Sequence, residues 1–149
     1  MDTAPGSHTE TDAAEWLAYE HEAAWCAKLA ILRARSLDHI AHFGACLREH
    51  ERHGKELSRN LPSLRHTGRA TFLTQEPHIV GALSGGDELL DAFHDIEASR
   101  VARYEARVRA PHGLRSSMLD AILERHLADA RARLDALRSI REPRRSVAA

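Results

Sequence analysis

Residues 48–53 read Arg-Glu-His-Glu-Arg-His, two imidazoles and two carboxylates within six positions. Side chains of these types do two kinds of chemistry: they pass protons, and together they ligate divalent metals. Which of these they do depends on the helix face they occupy, since a charged run on a solvated face does neither. The chain carries eleven histidines in 149 residues, so the same question extends well beyond this run.

On a wheel at ~100° per residue, the segment holding this run puts Ile40, Phe43, Leu47, Gly54 and Leu57 on one apolar stripe. His50 sits inside that stripe and His53 flanks it, while Arg48, Glu49, Glu51 and Arg52 point outward or to the margins. Two later segments show the same pattern. Glu97 lies among Leu90, Phe93, Val101, Tyr104 and Val108, and His126 lies among Leu119, Ile122, Leu123, Ala130 and Leu137. The first segment is apolar nearly all round. Its stripe of Trp16, Ala23, Ala27 and Ile31 contains Glu20, and the opposite one, with Ala18, Cys26 and Leu29, contains Glu22. A short internal likeness, "EAAWCAK" (22–28) to "EASRVAR" (97–103), favours Glu22 and leaves Glu20 as the alternative.

These side chains need elements to hold them. Four helices are expected: 13–34, opened by a capping box of Asp12 and Glu15; 37–59, capped by Ser36 and stopped at "NLP" (60–62); 87–109, capped by Asp87 after "SGG"; and 114–140. Residues 1–12 and 141–149 are expected to be disordered tails without a signal-peptide pattern. No stretch alternates with period two for long enough to argue a sheet. Short links join the first two helices and the last two, so each pair should be an antiparallel hairpin. The connection 60–86 is long enough to return the chain along the bundle, with "PHIVGALSGG" (77–86) as a short helix or an apolar cover. The fold class is all-α, one bundle over 13–140.

Counted from a turn near Arg35, Glu22 lies thirteen residues back, Glu20 fifteen back and His50 fifteen forward; from a turn near His112, Glu97 lies fifteen back and His126 fourteen forward. At ~1.5 Å per residue all stand about 20 Å from their turn, so two carboxylates and two imidazoles are expected in one layer. "LREH" (47–50) and "LERH" (123–126) repeat the local pattern.

With that layout, and with "GGDELLDAFHDIEASRVARYEARV" (85–108) and "LERHLADARARLDALR" (123–138), the chain resembles the ferritin-like superfamily, in particular its small bacterial four-helix domains. The resemblance implies a four-helix bundle of two antiparallel hairpins joined by one long crossover. Metal-binding members carry a Glu on the first and third helices and Glu-x-x-His on the second and fourth. Carried over, this maps Glu22 (or Glu20), His50, Glu97 and His126 onto ligands; by spacing, His53 and Asp129, each three residues beyond an inward His, and His94, three before Glu97, are candidates to orient ligands or complete coordination. Leu47 and Leu123 stand where the Glu-x-x-His carboxylates would be, which argues against di-iron oxidase or ferroxidase chemistry. The remaining Glu₂His₂ set suits one Fe, Zn or Mn ion with at most a modest redox role.

Other readings compete. Glu97 and a first-helix Glu can pair with His50 and His126 without metal, in a non-catalytic bundle acting through a helical partner or self-association. Haem held between His50 and His126 and a hemerythrin-like oxygen carrier are weaker. Cys46 and His42 are expected to pack rather than ligate, and Tyr104 to belong to the core. A net charge of −1 gives no field for nucleic acid or an anionic membrane, and the apolar runs are too short to span a bilayer. Two cysteines make no disulfide framework, so a cytoplasmic setting is expected. The glycines of 81–86 lack phosphate-loop spacing, and no nucleophile–base arrangement can be argued.

Overall fold

The computed structural model of the chain describes residues 6–60, 73–110 and 117–147. These form five helices: α1 (Gly6–Arg33), α2 (Leu37–Asn60), α3 (Glu76–Ala82), α4 (Asp87–Arg109) and α5 (Ser117–Val147), with no strand among the described residues. No described helix is long and apolar enough to cross a membrane.

Helix starts follow the expected chemistry at one position and depart from it at two. The His39 N–H donates to Ser36 Oγ at 3.4 Å, so Ser36 caps α2. Asp12 does not open α1, because the helix already runs from Gly6 and Asp12 lies inside it. Asp87 is the first residue of α4 rather than its cap; the cap position is Gly86, at φ +118°, a conformation that disfavours an Asp. At the first turn Asp87 and Glu88 still complement the helix dipole. Gly85 is required for a different reason, since a Cβ there would lie 1.9 Å from the Arg33 carbonyl oxygen. α5 continues through 141–147, which the sequence assigned to a tail; Arg141 Nε pairs with Asp91 of α4 and ties the extra turn down.

The ion pairs fix the directions of the helices. α1 ends at Arg33 and α2 starts at Leu37, and Glu20 meets His50 well back from that link on both, so α1 and α2 are antiparallel. Glu49–Arg133, His53–Asp129 and Glu56–Arg125 run α2 against α5, and Arg107–Asp120 with Asp91–Arg141 run α4 against α5. α2 and α4 therefore point the same way. The described part of the connection between them lies along α1: Thr74 is bound to Glu22, Gly81 faces Leu29, and Gly85 reaches Arg33. α3 packs on both α1 and α4, burying Pro77 and Val80, and is thus both short helix and apolar cover. This explains why α1 is apolar all round, since it has neighbours on two sides.

Two apolar clusters fill the interior. One gathers Trp16, Leu17, Leu57, Val101, Tyr104 and the α5 residues Leu119–Leu134; the other gathers Cys26, Ala27, Phe43, Cys46, Val80, Phe93, Ile96 and Leu137. In α1, α2 and α4 a set of buried polar residues lies between the two clusters: Glu20, His50, His53, Glu97 and Arg100. The core is split by a charged layer.

Candidate metal centre

Glu20 lies at the middle of this layer, 3% exposed. It is delivered by α1 one turn above Trp16 and Leu17, whose packing against α4 and α5 holds its height. His50 and His53, three apart on α2, present both rings to it on one face. His50 Nδ1–H donates to Glu20 Oε2 at 2.8 Å, and His53 Nδ1 stands 3.4 Å from Glu20 Oε1. Tyr104 OH donates to the same Oε1. Glu20, His50 and His53 each offer a ligand atom, and these atoms all lie within 4.8 Å of one another.

Glu97 closes the far side of His50, its Oε1 being 3.5 Å from His50 Nε2. It is balanced by Arg100, whose Nε is 3.8 Å from Glu97 Oε1 and whose Nη2 donates to Glu76 Oε2 at 2.9 Å. Behind His53, Nε2–H donates to Asp129 Oδ2 at 2.9 Å. That bond fixes the ring so that, in the neutral imidazole, the lone pair is on Nδ1 and faces a carboxylate oxygen. Two acceptors at this range need a cation between them, either a proton or a metal ion. Consistent with that, His50 Nε2, His53 Nδ1 and Glu97 Oε1 are buried without a hydrogen bond among the described residues.

In the metal-free protein the protons settle as the charges dictate. Burial alone would push His50 down, but the Glu20 carboxylate, with Glu97, raises it to about 9. Burial would raise Glu20, yet His50 and His53 hold it well below the usual carboxylate range. His53 is raised: burial opposes this, and Glu20 and Asp129 outweigh it. Glu97 is lowered, with Arg100 and then His50 overcoming burial. Burial and the neighbouring Glu20 push the Tyr104 phenol well up, so it stays a proton donor.

The expected ligands therefore divide. His50 and Glu97 are in the layer. Glu22 is buried but turned to the other side of α1, where its carboxylate accepts from Leu73 N–H and from Thr74 Oγ1 at 3.2 Å, so Glu20 is the inward carboxylate. His126 is fully buried but not level with His50: Nε2–H donates to Glu56 Oε2 at 2.9 Å. Glu56 is six residues beyond His50 on α2, about 9 Å along the axis at ~1.5 Å per residue. The ring of His126 instead stacks on His53, centroids 3.8 Å apart. His94 pairs with its neighbour Asp95 at 3.3 Å and takes no part. Asp129, expected beside His126 three residues before it, instead pairs with His53 of α2. Leu123 is buried in the first apolar cluster, and Leu47 packs beside the second.

Comparison of the sequence with protein-family models and curated proteins, and of the fold with solved structures, found no match. The chemistry of the site rests on its own residues.

By its place at the edge of the α2 stripe, His53 is a weaker ligand candidate from sequence than His126. The signal for it was present in the His-x-x-His spacing of 50 and 53, which puts both rings on one face. Arg100 carried no such signal, since an arginine on a helix margin ordinarily faces water.

Proposed function

We propose that this chain is a ferritin-like helical-bundle protein that binds a single divalent transition-metal ion in its core, with at most a modest redox role. The observation that carries this reading is the buried Glu20–His50–His53 group, three ligand atoms within 4.8 Å facing one another with His53 Nδ1 lacking a hydrogen-bond donor. Glu20, His50 and His53 would hold the ion, and Glu97 would offset its charge. Two imidazoles with a carboxylate suit Fe²⁺, Zn²⁺ or Mn²⁺. When bound, such an ion supplies Lewis acidity or one-electron chemistry. Asp129 keeps His53 turned inward, Tyr104 keeps a donor on Glu20, and Arg100 neutralises Glu97. The two-hairpin layout, with the connection lying along α1, supports the ferritin-like reading, and the absence of carboxylates at Leu47 and Leu123 limits the site to one ion. A cytoplasmic location accords with two free, buried cysteines.

The test is metal content by mass spectrometry on untagged protein, beside His53→Ala and His126→Ala, with circular dichroism as the folding control. About one equivalent of Fe, Zn or Mn is expected in the wild type and in His126→Ala, and its loss in His53→Ala. Wild type that is metal-free and takes up neither Fe²⁺ nor Zn²⁺ would sink the reading.

A second reading is favoured by one distance. The 2.8 Å bond between His50 and Glu20 makes a complete charge-assisted pair without metal. The layer would then be a buried Glu–His network in a bundle that acts through protein contacts, for which Trp25, Leu32 and Ile79 are exposed.

A further inference from the structure

The candidate site is not sealed. A groove of about 430 Å³ opens between α1 and α2, and its lining includes His50. From α2 it takes His50, Gly54, Ser58, Lys55 and Arg59 with a single carboxylate, Glu51, and from α1 it takes His21 and Ala24. Its size falls in the range of small-ligand pockets. Gly54 lines it too: a Cβ there would rest in ordinary contact with the His21 ring at 3.6 Å, so a longer side chain would have to extend into the groove.

The lining is cationic. Lys55 and Arg59 are four apart and so share a face of α2. Neither makes an ion pair among the described residues, whereas Arg52 and Arg125 beside them on the bundle surface are paired with Asp129 and Glu56. Ser58 adds a hydroxyl donor and His21 an imidazole. Two cations unpaired among the described residues, with a hydroxyl and above a buried histidine, form the donor set that receives an oxyanion.

We propose that the α1/α2 groove binds a small oxyanion, a carboxylate or a phosphate, whose charge is met by Lys55 and Arg59 and whose far end abuts His50. The inference deepens the metal reading, since such an anion would be the exogenous ligand or substrate nearest the ion, but the groove and its cations are there with or without metal.

The experiment titrates inorganic phosphate, and separately acetate, into the purified full chain at constant ionic strength. It follows the backbone amide signals of Gly54, Lys55, Ser58 and Arg59, with metal content measured on the same samples. Saturable shifts are expected with at least one anion, and the choice between them names the class. Lys55→Gln/Arg59→Gln, both exposed positions, should weaken binding at least tenfold with metal content and helicity unchanged. Gly54→Leu should block it from the other side. No saturable shift with either anion, or a double variant that binds like the wild type, overturns the proposal. Anion binding that persists in a chain that holds no metal and takes up neither Fe²⁺ nor Zn²⁺ would sink the metal reading alone.

Discussion

His53 holds its ring between two carboxylates, Asp129 behind and Glu20 in front, and the bond behind decides what the front can do. If a metal ion sits on Nδ1, Asp129→Asn should weaken its affinity about 10- to 100-fold without removing the site, as for other residues that orient a ligating imidazole; competition with a chelator would read this. His126→Ala tests the opposite expectation. It removes a buried ring that stacks on His53 and donates to Glu56, so it should cost about 2–4 kcal/mol in a urea titration while leaving metal content intact. If metal is lost as well, the layer extends to His126 after all.

Among the helices, α3 depends most on single contacts. It is seven residues long, too short to hold itself, and is fastened by Glu76 to Arg100 and Arg103 and, just before it, by Thr74 to Glu22. Arg100 is 5% exposed, so Glu76→Ala would leave a buried guanidinium short of a partner. The expected loss is about 3–5 kcal/mol by denaturant unfolding, against a small effect for a surface glutamate such as Glu51. Glu22→Gln should be milder, about 1–2 kcal/mol, and local: faster amide exchange at Leu73 and Thr74 with α2 and α5 protected as before. Uniform loosening of the bundle would refute that assignment.

For the molecule as a whole, the charged layer sets how stability follows pH. Take the metal-free protein. Glu20 is held well below its ordinary value, so its contribution is present above about pH 4.5 and fades as pH falls. His50 is raised to about 9, so its contribution is complete below about 6.5 and is lost as pH rises through 9. The Glu20–His50 pair therefore contributes most between about pH 4.5 and 6.5, and loss of the His50 proton should cost the metal-free protein up to about 3 kcal/mol on the way to pH 9. Metal-loaded protein should trend the other way over the alkaline half, because the ion displaces the His50 proton and binds more tightly as protons become scarce. Parallel thermal melts with and without chelator would separate the two. Much of this was legible in residue order. Apolar spacing defined four long helices, Ser36 marked a start, and the short link at 34–36 required an antiparallel hairpin, because these are local matters of period, cap and chain length. His50 and Glu97 were legible as inward polar groups for the same reason. The structure alone decided rotation and register. Glu20 and Glu22 are both buried, and only the position of α3 shows that one faces the core layer and the other the crossover. His126 lies on the expected face, but a face carries no height. Its level is fixed by how α2 and α5 slide past each other, which depends on side chains far apart in sequence, and that slide placed His53 in the layer and left His126 stacked on the face of its ring.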